Sequence, residues 1–451
     1  MTSASPSGKI GPMLVLGLLL ACLTQDLPDL GTRKEGVDWP GFLGPRHDGS
    51  SPEKGLVTSW PPEGPRIVWH RELGDSYGAC SILKGRLFLF ERRDDRMRLL
   101  CLKSESGEEL WHQDYPSSYR DGYGAGNGPR CCPVADGDRV YGFDPAGLLS
   151  CVRAADGKPL WTRDTAKDFG VVPNFFGVGS TPVVEGDLLI AMIGGSPPNS
   201  PDVATGETPG NGSGIVAFDK RTGEVKYRLS DELASYSSPL VTTINGRRWG
   251  FAFTRSGLLA FDPVAGKVEF QHPWRARSIT TVNICNPVVA GDLVFVSEAY
   301  GVGSSVIRVR PGGFDPVWED GRKRDRVMMA YWNTPIHVDG YLYGSNGQGP
   351  DADLRCIDLA KGKLMWSAPD IRQSSLCSVD GHFIALSEDG ILRLVPASPE
   401  RCRVVAQAVL KGKDGSPLIE APARAAPVVS HGLLYVRGSS RLVCVEVIPA
   451  P

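Results

Sequence analysis

Ser180-Thr181-Pro182-Val183-Val184-Glu185-Gly186-Asp187-Leu188-Leu189-Ile190 is the stretch that decides the fold. A small residue, a proline, two apolar residues, a glycine turn and a second apolar run read as two short strands joined by a hairpin. The phrase returns as Cys285-Asn286-Pro287-Val288-Val289-Ala290-Gly291-Asp292-Leu293-Val294-Phe295. A companion phrase follows each copy, as in Leu258-Leu259-Ala260-Phe261-Asp262 with Gly266-Lys267 and Phe270, or Leu354-Arg355-Cys356-Ile357-Asp358 with Gly362-Lys363-Leu364-Met365-Trp366. The pair recurs about every 48 residues, a period that suits four short strands per unit and marks an array of like supersecondary units.

Working outward, seven units are complete, with last strands ending near Trp111, Trp161, Tyr227, Phe270, Trp318, Trp366 and Val405. An eighth runs through Ala425-Ala426-Pro427-Val428-Val429, Leu433-Leu434-Tyr435-Val436 and Leu442-Val443-Cys444-Val445, and lacks a fourth strand. At the other end, Ile67-Val68-Trp69 is an apolar triplet with no unit of its own. Pairing the two closes the array and removes its exposed edges. The sequence therefore predicts an all-β, eight-bladed propeller of four-stranded antiparallel blades over residues 66–451, with an N-terminal strand completing the C-terminal blade.

Within a unit, the first–second and third–fourth connections are tight and glycine-bearing, as at Glu185-Gly186-Asp187 and Arg221-Thr222-Gly223-Glu224. The long segments 114–130, 162–179, 194–213, 271–284 and 319–332 fall in the other two connections. Alternate turns of an antiparallel meander lie at opposite strand ends, so the long loops are expected on one face and the plain hairpins on the other. Loops held by a rigid scaffold are where binding residues concentrate.

Bulk properties exclude several classes. Gly (54) and Pro (36) punctuate the chain, and no window carries a sustained helical stripe. A net charge of −2, without a basic patch interleaved with aromatics, gives no basis for nucleic-acid binding. Ile10 to Leu23 is apolar or small after Lys9, the length of a signal-peptide core and short for a membrane span. Residues 1–22 thus read as a signal peptide and 23–65 as an extended leader. Leu19-Leu20-Ala21-Cys22 has the pattern of a lipoprotein signal in which Cys22 is lipidated; ordinary cleavage is the alternative. Either route exports the chain, to the periplasm, an outer-membrane anchor or the outside, and a lipid on Cys22 would be its sole membrane attachment.

Of eleven cysteines, Cys101, Cys151, Cys356 and Cys444 share one slot of the repeat, where other units place Ala217, Ala260 and Val309. That pattern reads as small core filler and not as a disulfide framework. The adjacent Cys131-Cys132 stands where another unit has Ser180-Thr181, and packed thiols account for it. The seven histidines are scattered, and no HExxH, P-loop, GxSxG or EF-hand pattern occurs. Asp219, Asp262 and Asp358 are copied at one repeat position, which makes them turn caps and not acids or bases.

The segments entering each first strand carry large polar or aromatic residues: Arg130, Asn174, Tyr236, Asn283, Tyr331 and Trp332. Set round a central channel, they would either hold a planar or anionic ligand by stacking and charge-assisted hydrogen bonds, or plug the channel. Upstream lie Tyr115, Tyr119 and Tyr123, which suit stacking on sugar rings.

The phrase Ile215-Val216-Ala217-Phe218-Asp219-Lys220-Arg221-Thr222-Gly223-Glu224, with the closing Leu364-Met365-Trp366, resembles the pyrroloquinoline-quinone (PQQ) repeat from about residue 67 onward. The leader Asp38-Trp39-Pro40-Gly41-Phe42-Leu43-Gly44-Pro45-Arg46-His47-Asp48-Gly49-Ser50 looks like the opening of exported PQQ-like propellers of planctomycete-type bacteria. The resemblance implies an eight-bladed quinoprotein-like propeller and leaves activity open between two branches. One is the PQQ-dependent dehydrogenases, which hold quinone and calcium in the channel. The other is cofactor-free propellers such as the BamB lipoprotein of the outer-membrane assembly machine. The calcium-binding Glu and Asn and the catalytic Asp of the dehydrogenases match no motif here. Cys131-Cys132 is similar to the vicinal disulfide over the quinone, but it falls inside the first-strand phrase, so that role is not carried over.

The leading expectation is an exported binding or assembly scaffold acting through its long-loop face, with no metal, no cofactor and no chemistry of its own. Its partner would be a protein, small molecule or glycan. The alternatives are a PQQ-dependent dehydrogenase with quinone in the channel, and a glycan or peptide binder.

Overall fold

The computed structural model describes residues 1–2, 27–172, 174–203, 206–278, 283–321 and 323–450. Eight sheets form, six of them adding strands in sequence order, as in Ser81–Leu83, Arg86–Arg93, Arg96–Lys103 and Glu109–Pro116 of blade 1. First strands of successive blades contact one another, which sets them round a common axis. The eighth blade joins Val428–Ser430, Leu433–Arg437 and Arg441–Glu446 to Ile67–Glu72, with Trp69 opposite Cys444 and His70 opposite Val443. The leftover triplet closes the ring as expected.

Two details differ from the sequence reading. The outer strand of blade 7 is Ala406–Ala408, just past Val405. That blade also has a fifth strand, Ser50–Ser51, which pairs parallel to Ser374–Val379 on its inner edge. A two-residue strand carries no periodicity, so nothing in the leader announces it.

In six of the eight blades the aromatic that ends the unit locks it to the next. Trp111 donates its indole N–H to the Ala154 carbonyl (3.1 Å), and Trp69, Trp161, Trp318 and Trp366 do the same to Ser104, Lys220, Leu359 and Ser398. Tyr227 uses its hydroxyl on the Pro263 carbonyl (2.7 Å). Each accepting carbonyl lies at the third–fourth turn of the next blade, and at Trp69, Trp111, Trp161, Tyr227 and Trp318 the ring lies against a glycine of that turn. A Cβ on Gly157 would sit 2.5 Å from Trp111. Only glycine admits that approach. The repeated Gly-x-x-x-Trp spacing is therefore an inter-blade clasp, and Trp69 applies it across the chain ends. The turns themselves are capped by the copied aspartates: Asp219 accepts from the Arg221 and Thr222 amides, and Asp262 from those of Val264 and Ala265.

A second clasp links blades 2 to 6 beside the channel through the residue before the proline of each first-strand phrase. The Cys132 amide donates to Thr181 Oγ1 (3.0 Å), Thr181 to Ser238 Oγ (2.9 Å), Ser238 to Asn286 Oδ1 (2.9 Å) and Asn286 to Thr334 Oγ1 (3.2 Å). These buried amides have no strand partner on the inner side, and the polar side chain of the next blade satisfies them. Apolar residues on alternate strand positions fill the spaces between blades, as with Phe143, Cys151, Leu189 and Phe218. The ten described cysteines are free, all buried but Cys402. Desolvation raises their thiol pKa values, to about 12 at Cys151 and about 11 at Cys402.

The leader crosses the plain-hairpin end of the channel. Trp39 exchanges both backbone hydrogen bonds with Ile82, the Pro40 carbonyl accepts from Ala135 and the Gly49 carbonyl from Ser378. Glu53 receives the His431 and Gly432 amides (2.8 and 2.7 Å). The anticipated signal segment and Cys22 lie outside the described residues apart from Met1 and Thr2. No helix among the described residues is long and apolar enough to cross a membrane.

Candidate functional site

Six approach segments bring one register position, the residue immediately before small-x-Pro, to the open end of the channel. In that position stand Arg130, Gly179, Tyr236, Ile284, Trp332 and Arg424, and all six line a single funnel. Its cavity is ≈ 210 Å³, and Phe42 and Leu43 of the leader close its floor.

The funnel is polarised. Arg130 of blade 2 and Arg424 of blade 8 flank Tyr77 of blade 1, their guanidinium carbons 5.7 and 5.6 Å from its ring centroid. Arg130 also lies 5.8 Å from Phe176 and donates to the Gly128 and Gly126 carbonyls (3.0 and 3.1 Å). It has no ion-pair partner among the described residues, whereas Arg424 holds Glu388 at 2.8 Å. On the far side, four blades round the ring, Tyr331, Trp332 and Asn333 form an aromatic and amide wall. Tyr331 meets Tyr300 hydroxyl to hydroxyl at 3.3 Å. Asn333 is 3% exposed; its amide N–H donates to the Ser374 carbonyl (2.6 Å), and its Oδ1 has no partner.

Four of the six residues anticipated from sequence, Arg130, Tyr236, Tyr331 and Trp332, meet in this funnel. Tyr236 is mostly buried and accepts the Phe176 amide at 2.6 Å, so it also holds a loop. Asn283 and Asn174 are not part of the lining. Asn283 sits one residue ahead of the lining register, and alternation turns it inward, where its amide donates to the Thr254 and Trp274 carbonyls. Asn174 pins its loop by donating to the Ala234 carbonyl and accepting from Arg255. Tyr115 is buried between blades and Tyr119 half-buried, leaving Tyr123, 62% exposed, as the accessible member of the three. Tyr123 packs edge-on against Phe175 and Phe176 at the funnel rim, 5.6 Å from each. Arg424 was missed. Its signal was Arg-small-small-Pro, which Arg424-Ala425-Ala426-Pro427 shares with Arg130-Cys131-Cys132-Pro133.

The lining carries two guanidinium groups and no carboxylate. No group of three or more His, Cys, Asp or Glu side chains among the described residues is placed to hold a metal. A calcium-bound quinone requires oxygen donors round the cation, and this donor set does not fit one. Cys131 and Cys132 are both free and buried, and they join different inter-blade cores, so they do not roof the funnel.

Comparison with solved structures places the architecture among known propellers. BamB from Moraxella catarrhalis superposes with a TM-score of 0.56 at 12% identity, covering 84% of this chain and 97% of that one. The quinohemoprotein alcohol dehydrogenase from Comamonas testosteroni gives 0.61 at 13% identity, covering 91% and 80%. The C-terminal WD40 domain of Sif2 gives 0.53 at 10% identity, covering 84% and 98%. At such identities the likeness is one of fold. No curated protein sequence matches the chain significantly. The family model described as outer membrane protein assembly factor BamB matches residues 53–196 and 95–368, most of the propeller. The clasped repeats, the ring of eight blades and that match together make this chain a member of the BamB-like family of PQQ-repeat β-propellers.

Proposed function

We propose that this propeller is an exported binding scaffold that docks another protein on its long-loop face and performs no chemistry of its own. The observation that carries this reading is the convergence of approach segments from all round the ring on one funnel, ringed by aromatic and guanidinium groups and lacking an acid, base or nucleophile set. The opposite end is spanned by the leader, so the two faces are not equivalent. The family description, an assembly factor, agrees with a docking role. A photo-crosslinking side chain at Tyr123 should give discrete adducts in native cells, and one at Val264, exposed on a plain hairpin, should not. Adducts from Val264 alone, or equally from both, would reject the assignment to the loop face.

The second reading is a quinone-dependent dehydrogenase, favoured by the aromatic wall at Trp332 and the shared fold. Substrate-dependent dye reduction after adding PQQ and calcium would establish it and displace the scaffold reading.

A further inference from the structure

We infer that the funnel captures the carboxylate end of a peptide chain whose last side chain is apolar. This rests on the scaffold reading and assigns its ligand chemistry. Three independent features of the lining specify the three parts of such an end.

The first is charge. Arg130 spends two N–H groups on backbone carbonyls of its own loop and meets no carboxylate among the described residues. Arg424 stands on the other side of Tyr77. A guanidinium fork matches a carboxylate in two-point geometry, and apolar walls strengthen the pairing by excluding water. The second is an orphan acceptor. Asn333 Oδ1 is buried and lacks a donor, and the residue lines the same cavity. A buried acceptor left unsatisfied is costly, and the last amide N–H of a peptide supplies what it lacks. Arg130 and Asn333 belong to opposite blades, so one ligand lying across the funnel meets both. The third is the floor, where Phe42 and Leu43 offer an apolar surface. The ≈ 210 Å³ space falls below the roughly 300–1,000 Å³ of pockets for drug-sized ligands and suits a single side chain with its terminal group. Tyr123, Phe175 and Phe176 at the rim give the preceding residues a surface on which to leave. Capture of a chain terminus by pre-set donors is a known mode of peptide recognition.

The probe is a fluorescein-labelled hexapeptide ending in leucine, followed by fluorescence anisotropy with the full mature chain. The free acid should bind, and the same peptide with a C-terminal amide should bind at least about tenfold more weakly. N-methylation of the last amide, which removes the donor for Asn333, should cost several-fold. Arg130→Gln should weaken the free acid about tenfold with an unchanged thermal midpoint, and it should no longer distinguish acid from amide. Equal affinity for acid and amide, or undiminished binding by Arg130→Gln, would overturn the proposal. N-acetyl-leucine competing as tightly as the peptide would assign the carboxylate to a small molecule and overturn the chain-end assignment. Absence of peptide binding up to about 1 mM, alongside Tyr123 adducts, would sink this inference and leave the scaffold reading standing. Loss of the Tyr123 adducts with peptide binding intact would do the reverse.

Discussion

Replacing Gly157 by alanine tests whether the glycine–aromatic clasp holds neighbouring blades together. Gly157 has φ +72°, and its new Cβ would lie 2.5 Å from Trp111 Cε3 and 2.8 Å from Cδ2. The ring has little freedom to retreat. Its N–H is committed to the Ala154 carbonyl at 3.1 Å, and its inner face packs on Phe88 with centroids 5.9 Å apart. Gly137, at φ +57°, is the control, because a Cβ there meets nothing within 4 Å. Both substitutions incur about 1 kcal/mol for a side chain in left-handed backbone. Gly157→Ala adds overpacking of about 1–3 kcal/mol and weakens a buried hydrogen bond worth about 1 kcal/mol. The expected difference between the variants is therefore about 2–4 kcal/mol, or a few degrees in thermal midpoint for a domain of this size. Far-UV circular dichroism during urea and thermal unfolding measures it. In a Trp111→Ala background the excess should vanish, leaving Gly157→Ala as mild as Gly137→Ala. Equal losses for the two single variants, or strict additivity with Trp111→Ala, would refute the clasp.

Trp69→Ala should destabilise the ring by about 3–5 kcal/mol, and amide exchange in Arg441–Glu446 should accelerate before that of Ile215–Asp219; uniform acceleration would count against closure at that blade. Glu298 is buried with Oε2 unpartnered, and desolvation raises its pKa to about 7. The folded state therefore holds its proton more tightly than the unfolded one, and stability falls as pH rises from about 4.5 to about 7. Glu298→Gln should be more stable than the parent by about 2–3 kcal/mol at pH 8 and equal to it at pH 4, measured by urea midpoints; a gain independent of pH would refute the titration. Of the ten described cysteines, a thiol reagent should reach at most Cys402 in the native chain and all ten after denaturation without reductant, since burial and raised pKa values protect the rest. Fewer free thiols in the denatured chain would reveal a disulfide.

Much of the fold was legible because a propeller writes its geometry into a period. Strand alternation, glycine turns and closing aromatics repeat, so their register reads directly, and the incomplete eighth unit pointed to Ile67–Glu72 as its missing strand. The funnel was legible only in part. Arg130, Tyr236, Tyr331 and Trp332 were visible as large residues ahead of small-x-Pro, but Asn283, one position off, turns the other way. The path of the leader across the ring was not legible. The leader's contacts are isolated backbone pairings of one or two residues and a carboxylate receiving two amides, all to blade residues far away in sequence, and such contacts leave no pattern of their own.

By itself, the sequence determined the number of blades, their closure and the separation of plain hairpins from long loops, because each follows from local periodicity and from the rule that unpaired edges must be covered. Only the tertiary structure decided which residues meet on the axis. Arg130 and Arg424 are some three hundred positions apart and flank one tyrosine solely because the ring brings blades 8, 1 and 2 side by side. Tyr331 and Trp332 line the same funnel because blade 6 lies across the channel, and Phe42 joins them because the leader crosses there. Convergence of that kind is a property of closure, which no local stretch of chain encodes.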